Sequence, residues 1–175
     1  APQATPTSAP VMTEPAVATD APATEAPTEA PAVTYTFNDG LGREIQLDGP
    51  AQRVVSLAPS NTEILFAIGA GSQVVGRDEF SDYPPEAASI DSVGGSMGQY
   101  SAEAIFALKP DLVLAAEINT PELVKQLEDL RVTVYYLNNP ITLEGMYDNL
   151  MIVATLTGHV DEASTLVESL KARVA

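Results

Sequence analysis

The chain has 175 residues, room for one ordinary domain with appendages. Its 24 Asp and Glu against 8 Lys and Arg give a net charge of −16, a field that repels a phosphate backbone, so no nucleic-acid partner is expected. Cysteine is absent and His159 is the only histidine, which removes disulfides, thiolate nucleophiles, Cys-based zinc sites and His-rich metal clusters; no resident metal or cofactor is expected.

Residues 1–32 hold seven of the fourteen prolines, ten alanines and six threonines, and no aromatic side chain. Such a stretch buries too little apolar surface to offset the entropy of ordering it. It reads as a disordered, partly extended tether, either a generic tail or a spacer holding a domain off a membrane surface. The second use implies an exported, mature or trimmed chain, since neither a signal peptide nor a lipid-modified Cys is in the sequence. No apolar run reaches the roughly 18 residues that span a bilayer.

From Val33 the texture is globular. Residues 33–37 and 43–47 alternate large apolar with small or polar side chains around Asn38-Asp39-Gly40, a β-hairpin pattern. Residues 54–57 form a short apolar strand. Ser60-Asn61-Thr62-Glu63 has the spacing of a capping box, with Ser60 as N-cap of a short helix that stops at Gly69. Strands follow at 74–76, 112–114 and 132–137, and helices at 101–108 and 121–130. Strands alternating with helices predict an α/β fold with a three-layer, Rossmann-like parallel sheet. In such folds ligands gather beyond the carboxyl ends of the strands, here 58–60, 77–80, 115–119 and 138–139. From Leu143 to Val174 apolar residues recur every three or four positions, predicting one long helix. Gly158 offers the alternative, a split into two helices with Asp161 capping the second.

Three blocks then carry a resemblance: Arg53 to Leu65 (RVVSLAPSNTEIL), Ser81-Asp82-Tyr83-Pro84-Pro85-Glu86, and Ala107 to Leu114 (ALKPDLVL). In order and spacing they resemble the periplasmic substrate-binding proteins that feed cobalamin, ferric siderophores or haem to ABC importers. Through the Ser-Asp-Tyr-Pro-Pro stretch the chain looks most like the cobalamin-binding members. The likeness covers residues 33–175 and implies two lobes joined by a long helix, with ligand held between them. On that reading residues 33–140 are the N-terminal lobe, 141–175 the connector, and a second lobe is absent from this sequence.

The resemblance also implies roles. Glu103, the acidic residue before the Ala107 block, stands where such proteins dock onto basic residues of the permease. Phe80 and Met97 stand where cobalamin-binding members carry aromatics, so Met97 is a departure. From the residues themselves, Ser60 and Asn61 offer donors at a helix start, Tyr100 is the nearby phenol able to ligate a haem iron, and Glu117 and Asn119 lie at a strand end. Tyr83-Pro84-Pro85 reads as a rigid loop floor that sets where Phe80 points. One short motif argues for an enzyme: Gly94-Gly95-Ser96-Met97-Gly98 matches the nucleophile-elbow pattern of serine hydrolases, with His159 and Asp111 or Glu117 to complete a triad. The helix predicted from Ser101 begins too late for a true elbow.

The expectation is therefore capture without chemistry. A metal chelate such as cobalamin, a siderophore or haem would be bound outside the cytoplasmic membrane, in periplasm or at the cell surface, by a membrane-tethered lipoprotein that docks to an ABC permease. The alternative is a ligand-free interaction module whose exposed 142–175 face binds a partner or forms a homodimer.

Overall fold

The structure, a computed structural model, describes residues 34–174, so the tether expected over 1–32 lies outside the described residues. Tyr35–Asn38 (β1) and Glu44–Leu47 (β2) pair antiparallel, with Tyr35 opposite Leu47 and Asn38 opposite Glu44. The alternation buries Ile45 and Leu47 and leaves Glu44 and Gln46 in water. At the turn the Asp39 carboxylate accepts the backbone N–H groups of Leu41 (3.0 Å) and Arg43 (2.9 Å) and the Nε–H of Arg43 (3.0 Å).

The main sheet is parallel, in the order Val74–Arg77 (β4), Val54–Ser56 (β3), Leu112–Ala116 (β5), Val134–Leu137 (β6). β3, β5 and β6 are buried at every position, as a sheet covered on both faces requires. Successive strand residues divide between two cores. Val54, Leu112, Leu114, Tyr135 and Leu137 face Pro59–Ala67 (α1), Leu143–Thr157 (α4) and Val160–Val174 (α5). Val55, Val113, Val134 and Tyr136 face Ala102–Ala107 (α2) and Pro121–Asp129 (α3). This is the three-layer fold that the strand–helix alternation predicted.

The edge of β6 is covered by the hairpin turn. Gly40 N–H donates to the Tyr136 carbonyl (2.7 Å), and Tyr136 N–H donates to Asp39 Oδ2 (3.2 Å). A bare edge strand invites pairing with another chain, and here a buried carboxylate and a turn amide occupy it.

Helix starts follow local chemistry, with one correction. Ser101, Thr120 and Thr142 cap α2, α3 and α4 by accepting the N–H groups of Ala104 (3.1 Å), Leu123 (3.3 Å) and Gly145 (3.0 Å). Ser60 does not cap α1. That helix begins at Pro59, whose ring presets the helical φ and whose missing N–H is no loss in a first turn, and no side chain caps it.

The expected unbroken helix over 142–175 does not form either. α4 ends at Gly158 in the left-handed region (φ 83°), where the N–H groups of Gly158 and His159 both reach the Ala154 carbonyl (2.8 and 2.9 Å). α5 then turns back along α4, placing Ser164 Oγ 3.9 Å from the Met151 sulfur and Lys171 Nζ 5.2 Å from the Tyr147 ring centre. A full-length apolar stripe exceeds what the sheet can cover, and folding at the residue that best tolerates positive φ lets the stripe pack on itself. Ala163 and Val167 are buried by that packing, so part of the 142–175 face offered for a homodimer is covered within the chain. Substituting Gly158→Ala should destabilise by about 1–2 kcal/mol, read from urea unfolding, because the added Cβ combines positive φ with an approach of 3.1 Å to Pro50.

Candidate functional site

The chain leaves β3 for β4 on one side and later enters β5 on the other, so the connection direction reverses between β3 and β5. Beyond the carboxyl ends of those two strands lies the usual ligand crevice of an open parallel sheet. Here two side chains close it. The Leu57 carbonyl accepts the Tyr100 hydroxyl (3.0 Å) and the Asn119 amide NH2 (3.0 Å), while Asn119 Oδ1 accepts Ala116 N–H (2.7 Å). Above this plug stand the loops that follow the strands. Burial raises the Tyr100 phenol above its ordinary value, and the Asp78 charge adds to the rise. With its proton held on a carbonyl, Tyr100 is not the free phenolate that ligation of a haem iron requires.

The loop after β4 is built around two residues with no sequence pattern to announce them. Asp78 is buried; its Oδ1 accepts Phe80 N–H (2.8 Å) and its Oδ2 accepts the Ser81 hydroxyl. Thr62 of α1 sits 2.8 Å from both Ser81 Oγ and Ser56 Oγ, and Ser56 donates to the Ala58 carbonyl (3.0 Å). The Arg77 guanidinium gathers the carbonyls of Asp78 (2.9 Å), Ile90 (3.1 Å), Glu79 (3.2 Å) and Ala88 (3.3 Å). These contacts set the loop and leave Phe80 58% exposed. Tyr83, expected as part of the loop floor, instead stands in solvent, and Asp78 and Arg77 do the positioning assigned to it.

The glycine turn at 94–98 carries Met97, 94% exposed. It is not a nucleophile elbow: no named strand runs into it, and α2 begins only at Ala102. His159 lies beside Gly69, at the far end of α1, and its neighbour Gly158 lies against Pro50, before β3. Ser96 and His159 thus occupy opposite ends of the sheet, and the triad is not assembled.

After β5 and β6, Glu117 accepts the backbone N–H (3.3 Å) and side-chain NH2 (3.2 Å) of Asn139, bridging the two loops. Ile118 and Ile141 flank that bridge at 62% and 98% exposure. Phe80, Tyr83, Met97, Ile118 and Ile141 therefore form an apolar set on loops at one end of the sheet. Sequence reasoning found Phe80 and Met97 and missed the two isoleucines, which belong to no periodic pattern. Ser60 is exposed at the same end, and Glu103 is exposed in the first turn of α2. Asn61 turns inward, its NH2 donating to the carbonyls of Leu114 and Ala115 (both 3.2 Å), so it offers the rim no donor.

Acidic side chains are exposed at both ends of the sheet, with the basic ones set among them. Glu79, Asp82, Glu103, Glu117 and Glu122 are exposed at the rim end, where Arg77 is consumed by carbonyls and only Lys171 and Arg173 of α5 supply further positive charge. Arg53, Lys109 and Arg131 precede β3, β5 and β6 at the other end. Among the described residues no three His, Cys, Asp or Glu side chains group closely enough to hold a metal ion.

Comparison with known proteins adds the remaining observation. Residues 54–175 match the model of a family described as periplasmic binding protein. An ABC transporter substrate-binding lipoprotein from Bacillus subtilis is 33% identical over 139 residues, covering 78% of this chain and 44% of the relative. A vitamin B12-binding protein from Vibrio campbellii is 39% identical over 104 residues, covering 59% of this chain and 37% of the relative. Among solved structures, the periplasmic vitamin B12-binding protein of Vibrio cholerae superposes with a TM-score of 0.65 at 32% identity, over 71% of this chain and 49% of that one. A periplasmic haem-binding protein from Pseudomonas aeruginosa gives the same TM-score and identity over 70% and 44%. The chain spans less than half the length of each.

Proposed function

The chain belongs to the periplasmic binding protein family, and on that premise we propose that it forms the N-terminal lobe of an ABC importer's substrate-binding protein, capturing a metal chelate outside the cytoplasmic membrane. The observation that carries the ligand class is the apolar rim. Phe80, Met97, Ile118 and Ile141 stand largely in water on four separate loops, an arrangement suited to a broad, flat ligand and costly to maintain without one. Cobalamin or a related corrinoid is preferred over ferric siderophores, in line with the vitamin B12-binding relatives, and haem comes third because the Tyr100 phenol is spent.

Ser60 and Glu117 would supply polar contacts around that apolar surface, and Glu103 would meet a basic permease surface. α5 returns its C-terminal turn to the rim, beside Leu143 of α4, the direction a connector to a facing lobe takes. A lipoprotein tether fits the composition of residues 1–32 and the Bacillus subtilis relative.

Equilibrium dialysis against cyanocobalamin tests this. Phe80→Ala and Ile118→Ala should each weaken binding about 10-fold, the loss of one buried apolar side chain. Affinity unchanged in both variants would remove the rim from the binding site.

A further inference from the structure

On the face of the sheet covered by α1, α4 and α5, the helices do not close over one another at the rim end. They leave a groove of about 390 Å3, within the range of small-molecule sites. Its walls are Ile64 and Ala67 of α1, Met146 and Leu150 of α4, and Leu166 and Leu170 of α5. The groove adjoins the rim, sharing Ser60, Asn138, Asn139 and Pro140 with it, but none of Phe80, Met97, Ile118 or Ile141 lines it.

Two buried amides give the groove its chemistry. The Asn61 NH2 is committed to the carbonyls of Leu114 and Ala115, so its Oδ1 must face the other way, and it accepts from no described donor. Asn149 repeats the arrangement, donating from its NH2 to the Asn138 carbonyl (2.8 Å) while its Oδ1 accepts from no described donor. Asn61 is 1% exposed and Asn149 9%, and both line the groove. Glu63 adds a carboxylate at the mouth, and no Lys, Arg or His lines the groove. Both amide oxygens are open at the groove surface, and two such acceptors beside a carboxylate favour a donor that carries positive charge.

We propose that this groove binds a small amphiphile with an extended apolar body and a protonated amine head. The body lies between α1 and the α4–α5 pair, and the ammonium hydrogens go to Asn61 Oδ1, Asn149 Oδ1 and Glu63. Anionic heads are rejected by the same three groups.

The test is calorimetric titration of the full chain with decylamine, decanol and decanoate, each below its micelle-forming concentration and at physiological salt, where diffuse attraction to the acidic surface is screened. The expected result is one-to-one, saturable binding of decylamine, about 10-fold weaker binding of decanol, and none of decanoate. Ala67→Phe, which fills the groove from α1, should abolish decylamine binding; Leu170→Trp fills it from α5 should the first variant fail to fold. Glu63→Gln should weaken decylamine about 3-fold, and Phe80→Ala should leave it unchanged, separating this site from the rim. No decylamine binding, equal binding of decanoate, or decylamine binding undiminished in a folded groove-filling variant would overturn the proposal.

Discussion

Replacing Asp39 with Ala is expected to cost the fold about 3 kcal/mol, the largest loss of any single substitution considered for this chain. The Asp39 side chain is fully buried, yet it is ionised and holds four groups: the Arg43 guanidinium and the backbone N–H groups of Leu41, Arg43 and Tyr136. Arg43 also pairs with Glu128 of α3, so the carboxylate anchors the hairpin to the edge strand and to the helix beside it. Removing it leaves the quarter-exposed Arg43 guanidinium only Glu128 and the Val134 carbonyl, and uncovers the edge of β6. Urea unfolding at neutral pH measures the effect, and a loss below about 1 kcal/mol would contradict the role assigned to Asp39.

The same carboxylate makes stability pH-dependent. Burial alone would raise its pKa, but the hydrogen bonds from the Arg43 side chain and from the Arg43 and Tyr136 backbones outweigh it, and the folded value lies below the ordinary one. The folded protein then holds fewer protons than the unfolded chain below about pH 4. The stabilisation is complete above the unfolded pKa and is lost as pH falls through the folded one. Wild-type stability should therefore drop more steeply than that of Asp39→Ala between pH 5 and the folded pKa, the two curves converging in acid.

Asn119→Leu is the second large effect, expected at about 2 kcal/mol. Its amide joins the end of β5 to the end of β3 at the point where the sheet's connections reverse. Leucine there leaves the Ala116 N–H buried without a partner and the Leu57 carbonyl with Tyr100 alone. Because Glu117 and Ile118 sit in the turn that Asn119 closes, cyanocobalamin affinity should fall along with stability. Tyr100→Phe serves as the comparison: it takes one hydrogen bond from the same carbonyl and orphans no N–H, so its cost should be about 1 kcal/mol. Equal losses for the two variants would mean that the Ala116 N–H does not depend on Asn119.

What the sequence disclosed and what it hid follow a physical division. The hairpin, the parallel strands and the starts of α2, α3 and α4 were legible because alternation, apolar runs and Ser or Thr caps are local signals, each set by residues within one turn or strand. Ser60 misled because Pro59 supplied a competing start one residue earlier, and a proline at the first helical position needs no capping side chain. The tail helix stayed ambiguous because its periodicity passes through Gly158 unchanged, and only the surface available for burial decides that α5 folds back. Ile118 and Ile141 are single apolar residues among polar loop neighbours, and their shared direction is a property of the assembled sheet. Asp78 and Arg77 were hidden for the same reason: a buried carboxylate and an arginine clasping four carbonyls look, in sequence, like any charged loop.

The most direct measurement is amide hydrogen exchange of the chain with and without saturating cyanocobalamin, repeated with haem and a ferric siderophore. Slowed exchange confined to residues 78–83, 95–100, 117–119 and 138–142 is expected for one of these chelates, because the rim loops are where the ligand would be held. Protection centred instead on the opposite end, around Pro50, Gln73, Lys109 and Arg131, or saturable binding with no protection of the rim loops, would contradict the assignment of the strand-end rim as the chelate site.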